Sequence, residues 1–97
     1  GLRRMDEMAE LTIENRPTHD PNVMKFVAGK TLNPTAAMAF YDAESAQTDD
    51  IARRFFEIAG VAGLMVVNDF CSVAKSSDAD WDKMTPRIHD LIRAHWC

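Results

Sequence analysis

A chain of 97 residues is long enough to bury one hydrophobic core without disulfides or a structural metal, and its 46% hydrophobic and 27% charged residues exclude disorder, collagen-like repeats and a coiled coil. The net charge is −4 with no block of Lys or Arg longer than two, so phosphate backbones are repelled on average and nucleic acid is a poor default partner. No apolar run approaches the about 18 residues of a membrane span, and two cysteines, Cys71 and Cys97, make neither a disulfide framework nor a Cys-x-x-Cys metal site, so a soluble chain in a reducing, cytoplasmic compartment is expected.

Residues 1–10 show no clear period beyond one helical turn and are set aside as an N-terminal tail, which leaves a single domain over 11–97. Leu11, Ile13 and Asn15 then alternate with Thr12, Glu14 and Arg16, the pattern of a short strand ending at Pro17. The segment Pro17–Phe26 opens with polar groups between two prolines. His19 and Asp20 have no third ligand at a diagnostic spacing, and Asp-Pro and Pro-Asn pairs favour an Asx-type turn over a metal site. Beyond it Met24, Phe26 and Ala28 point one way and Val23, Lys25 and Val27 the other, until Gly29. A turn is expected at Asn33-Pro34, then a short strand from about Ala37 to Tyr41 and a polar loop.

The period then changes to helical. Thr48 is the expected cap of a helix with Asp49 and Asp50 in its first turn, Ile51, Phe55 and Ile58 on its apolar stripe, and Gly60 at its end. Residues 63–75 read as a hairpin with Asn68-Asp69 as a two-residue turn. Pairing Val67 with Phe70 sets Val66 opposite Cys71 and Leu64 opposite Val73, so these four share one apolar face. The last element carries Trp81, Met84, Ile88, Leu91, Ile92 and His95 at helical spacing, and one helix kinked at Pro86 is expected over about 80–95, with Trp81, Ile88 and Leu91 as its seam on the sheet. The order gives an α+β fold: a single two-layer domain, ββαββα-like, with an antiparallel sheet and two helices on one face.

Little in these elements carries chemistry. Cys71 falls among Leu and Val with no cation to lower its pKa, which makes it a core residue. Met24, Met38, Met65 and Met84 fall on strands or a helix stripe and read as core filling; His89 reads as solvated. The acidic runs at 49–50 and 78–82 sit where helix N-termini attract carboxylates without a metal. No nucleophile and base pair, phosphate-binding glycine loop or paired catalytic carboxylates can be named, so no catalytic, cofactor-binding or metal residue is assigned.

Taken in order, Pro21, Asn22, Lys25 and Phe26, then Phe56, Ile58, Gly60 and Val61, then Asp69 and Phe70, then Trp81 and Pro86 resemble the N-terminal domain of Nfu-type (NifU-like) iron–sulfur cluster scaffold proteins over roughly residues 12–96. The resemblance implies a non-enzymatic accessory or protein-interaction domain in cluster assembly or transfer. It also implies protein partners, cluster-assembly proteins among them, while charge and hydropathy argue against nucleic acid and membrane as partners. Full-length Nfu proteins carry their Cys-x-x-Cys in a second domain, and that motif does not occur here. Pro21, Asn22, Lys25 and Asp69 are the expected partner-binding residues. A stand-alone adaptor unrelated to iron is the alternative reading.

Overall fold

The computed structural model describes residues 12–29 and 32–96, with residues 33–36 described by their backbone alone. The tail expected at 1–10, the Leu11 end of the first strand, and Cys97 lie outside the described residues. The elements are β1 (Glu14–Pro17), β2 (Val23–Val27), β3 (Asn33–Phe40), α1 (Ala43–Ala46), α2 (Asp50–Phe56), β4 (Val61–Asn68), β5 (Phe70–Lys75) and α3 (Trp81–Trp96). The α+β class holds, with five antiparallel strands in the order β1-β2-β5-β4-β3 and one short helix more than the sequence pattern predicts.

The register divides the sheet into inward and outward rows. Asn15, Phe26, Cys71, Val66 and Met38 lie side by side across all five strands, and Pro17, Met24, Val73, Leu64 and Phe40 form the next inward row. Phe26, Cys71, Val66 and Val73 are wholly buried there, packed in one core with Ile51, Ala52 and Phe55 of α2 and Met84, Ile88 and Ile92 of α3. Both helices of more than four residues therefore cover this single face. The hairpin register is the one the pattern requires: Val67 pairs with Phe70, Val66 with Cys71 and Leu64 with Val73, and Asn68 takes the positive φ (49°) of the turn.

Several expectations shift. Asn33 and Pro34 begin a strand instead of a turn; β3 is an edge strand, where the missing N–H of a proline need not leave a ladder acceptor unmet. The polar loop after it contains α1, nucleated by the Asp42 carboxylate accepting from the Ser45 N–H at 2.7 Å. The cap of α2 is Asp49, not Thr48: the Asp49 carboxylate accepts from the Ala52 N–H at 3.1 Å, and an ionised acceptor holds that donor more strongly than a hydroxyl. The helix ends at Phe56 with Glu57 as its C-cap, and Gly60 (φ 99°) serves the turn into β4. A Cβ on Gly60 would sit 2.7 Å from the Ala79 Cβ and 2.9 Å from the Met84 Sδ, so this position excludes a side chain on two counts.

Helix α3 runs on through Pro86 to Trp96 as one element, its entry held by Asp80, whose carboxylate accepts from the Asp82 N–H at 2.9 Å. Its buried seam is Met84, Ile88 and Ile92; Trp81 and Leu91 flank it half-buried, because residues spaced by four align under the axis and those one position away rotate to the rim. His89 is half-buried rather than fully solvated. Its ring stacks edge-on against Phe26 (centroids 5.8 Å apart), its Nε2 donates to Asn15 Oδ1 at 2.6 Å, and burial, aided by the charge of Arg93 and opposed by Asp90, lowers its pKa. Met65 is also corrected: it lies on the outward face, not in the core.

Candidate functional site

The stretch between β1 and β2 is a turn built by its own side chains. The Asp20 carboxylate accepts from the Asn22 N–H at 2.8 Å, the expected Asx turn, while the Thr18 hydroxyl donates toward the carbonyls of Asp20 (3.0 Å) and Val23 (2.9 Å). Two distant residues lock onto this turn. The indole N–H of Trp81 donates to the Pro21 carbonyl at 2.9 Å, and Lys75 Nζ donates to Asn22 Oδ1 at 2.9 Å while lying 6.0 Å from the Trp81 ring centroid. Phe26 completes the corner, its ring centroid 6.0 Å from that of Trp81. The backbone closes it as well, with the Lys75 N–H donating to the Asn22 carbonyl at 2.7 Å. Pro21, Asn22, Lys75 and Trp81 thus clamp the β1–β2 turn to the end of β5 and the start of α3.

The four residues singled out from sequence do not form one cluster. Pro21 and Asn22 stand at one end of β2 and are engaged in the clamp. Asp69 stands at the other end, where its carbonyl accepts from the Ala28 N–H at 2.8 Å. Lys25 lies between them on the outward face, exposed, with its Nζ 5.1 Å above the Phe70 ring.

That outward face is uncovered among the described residues. One row across it reads Arg16, Lys25, Ser72, Met65 and Ala39; the next reads Glu14, Val27, Phe70 and Val67. Arg16 Nε lies 3.0 Å from Glu14 Oε1, and the hydrogen bond and charge of Arg16 hold the Glu14 carboxyl below the usual carboxylate range. The pKa of Arg16 is raised in turn, by that hydrogen bond and charge with a smaller contribution from Asp69. Two depressions mark the face: one of about 520 Å³ lined by Arg16, Pro17, Thr18, His19 and Lys25, and one of about 170 Å³ whose lining includes Val23, Tyr41, Gly63, Met65, Ser72 and Ala74. Sequence reasoning missed Arg16, Phe70 and Tyr41 as members of this surface. The signal was present in the outward half of each alternation, once the hairpin register tells which half that is.

Cys71 is fully buried, and burial pushes its thiol up to about 12, far from the thiolate that a nucleophile or iron ligand requires. Among the described residues no group of three or more His, Cys, Asp or Glu side chains is placed to hold a metal ion.

A five-stranded antiparallel sheet with its helices on one face is the architecture of a small α+β domain, and solved structures share it. A NifU-like protein from Saccharomyces cerevisiae superposes with a TM-score of 0.74 at 21% identity, covering 87% of this chain and 76% of that one. Protein SAV1430 from Staphylococcus aureus does so with a TM-score of 0.67 at 22% identity, covering 84% of this chain and 98% of that one. At such identities the likeness establishes the fold. The sequence goes further: the chain belongs to the family described as "Scaffold protein Nfu/NifU N terminal", which matches residues 13–96. Among its relatives are the human "NFU1 iron-sulfur cluster scaffold homolog, mitochondrial", 33% identical over 81 residues (82% of this chain, 32% of that protein), and the Arabidopsis thaliana "NifU-like protein 5, mitochondrial", 27% identical over 88 residues (91% and 32%). The chain spans about a third of the length of these curated relatives.

Proposed function

We propose that this domain, over residues 11–97, is a non-catalytic accessory domain that brings protein partners to iron–sulfur cluster assembly or transfer. Its partner surface is the face that displays Lys25, reaching toward the Pro21-Asn22 turn at one end and Asp69 at the other. The observation that carries the reading is the position of Cys71. Cluster iron is ordinarily held by four thiolates, the chain has two cysteines, and Cys71 is sealed between the sheet and its helices with its proton held tightly. Family membership supplies the iron–sulfur context, and the core supplies no ligand for the cargo.

Two measurements test this. Anaerobic reconstitution with iron and sulfide, followed by desalting and absorbance of the monomer fraction, is expected to leave the protein colourless. A stable brown species lost in a folded Cys71→Val variant would make the chain a cluster carrier and overturn the reading. Affinity capture from cell extract is expected to recover cluster-assembly proteins, and their consistent absence would favour an adaptor unrelated to iron.

A further inference from the structure

We propose that the uncovered sheet face docks an acidic segment of a partner protein that carries one large apolar side chain two to three residues from its carboxylates. This rests on the reading of the chain as an interaction domain and names the chemistry of the partner. The face is divided in two. On the β1–β2 side Lys25 and His19, together with Arg16 in its ion pair to Glu14, line one depression with no carboxylate among its lining residues, although the chain as a whole carries a net charge of −4. Among the described residues neither Lys25 nor His19 has an ion pair, and Lys25 is exposed with only the Phe70 ring beneath it.

On the β4–β5 side the outward positions turn small. Gly63, Ser72 and Ala74 form the floor of the second depression, with Val23, Met65 and Tyr41 among its walls, and Tyr41 is 75% exposed. A floor of small residues between larger ones accepts a side chain from outside, and the partial burial of Met65 and Val23 leaves apolar area for it to cover.

The strand order sets the spacing. Neighbouring strands lie about 4.8 Å apart, so the floor between β4 and β5 is about 7 Å from Lys25 on β2 and about 12 Å from Arg16 on β1. An extended segment advances about 3.3 Å per residue, which puts carboxylates two to three residues from the anchor over the cations. A uniformly anionic partner such as a nucleic acid fits poorly, because Glu14 and Asp69 border the cationic half and the apolar half offers it no cation.

The test is an amide-resolved NMR titration of the full chain with a capped synthetic peptide of serine residues bearing one central Phe and Glu at the second and third positions on either side. Control peptides replace Glu by Lys, or Phe by Ala. Saturable shifts centred on Lys25, Gly63, Met65, Ser72 and Ala74 are expected, with both controls weaker by about fivefold or more. Lys25→Glu and, separately, Arg16→Glu should weaken the Glu peptide and strengthen the Lys peptide, with the dispersed spectrum showing that each variant is folded. Equal binding of the three peptides, shifts centred on the helices, no saturation at concentrations on the order of millimolar, or a self-association of the chain abolished by Lys25→Glu would overturn the proposal. Because the peptide is synthetic, its failure leaves the capture of cluster-assembly proteins standing, and failure of the capture leaves the peptide result standing.

Discussion

Replacing Trp81 by phenylalanine removes one proton donor from the corner that joins the β1–β2 turn to β5 and α3. The lost bond is the 2.9 Å contact from the indole N–H to the Pro21 carbonyl. That carbonyl is exposed and water can take the place of the indole, so the net loss is about 0.5–1 kcal/mol. The smaller ring also gives up on the order of 30 Å² of apolar contact, worth about 0.5–1 kcal/mol at about 25 cal/mol per Å². The contact with Phe26 survives, and Lys75, at 6.0 Å from the ring centroid, is at the edge of cation–π range and adds little. Trp81→Phe should therefore cost about 1–2 kcal/mol, read as a lower urea midpoint at unchanged slope by far-ultraviolet circular dichroism. Asn22→Ala removes the other strut, the bond from Lys75 Nζ. Since both struts hold one turn and share Lys75, the double variant should depart from additivity by about 0.5 kcal/mol or more. A Trp81→Phe cost under about 0.3 kcal/mol together with strict additivity would refute the clamp and return Pro21 and Asn22 to the status of a free surface.

Gly60→Ala should destabilise by about 2–4 kcal/mol in the same assay, because it combines a positive φ with contact against Ala79 and Met84; a neutral substitution would mean that the turn opens without cost. Ile88→Ala, at a wholly buried position, should cost about 2–5 kcal/mol, and Leu91→Ala, half-buried at the rim, clearly less; the reverse order would place the seam of α3 on its other side. Cys71 keeps its proton in the folded state up to about 12 against an ordinary value of 9.0, so its contribution to stability is fully present below pH 9 and is lost as pH rises toward 12. Between those limits the wild type should lose about 1.4 kcal/mol per pH unit more than a Cys71→Val variant, and parallel pH profiles would show that the thiol is not sealed.

The hairpin was legible because two β-rich runs around Asn68-Asp69 admit a single register that collects Leu64, Val66, Cys71 and Val73 on one side. Lys25 was legible by the same alternation. Other positions depended on information that no local window contains. Pro34 argues for a turn until β3 is known to be an edge strand. His89 looks solvated from its own helix, since the neighbour that partly covers it, Phe26, and the side chain that accepts its hydrogen bond, Asn15, come from strands more than 60 positions away. The surface suffered most from this. Pro21 and Asn22 stood out as motif residues because the structure needs them for the clamp, whereas Arg16, Phe70 and Tyr41 come together with Lys25 only through the strand order.

That order has a consequence for what joins the sheet together. Strands β2 and β3 are close neighbours in sequence yet never meet, because β4 and β5, the hairpin of residues 61–75, lie between them. N-terminal to residue 61 the described strands make one small β1–β2 pair, and β3 has no strand to join there. The hairpin, closed by its own two-residue turn, is the piece that joins the two halves of the sheet. It offers β2 one edge and β3 the other, and α3 packs across the inward face. A chain cut short before residue 61 keeps the β1–β2 pair and leaves β3 without the strand it joins.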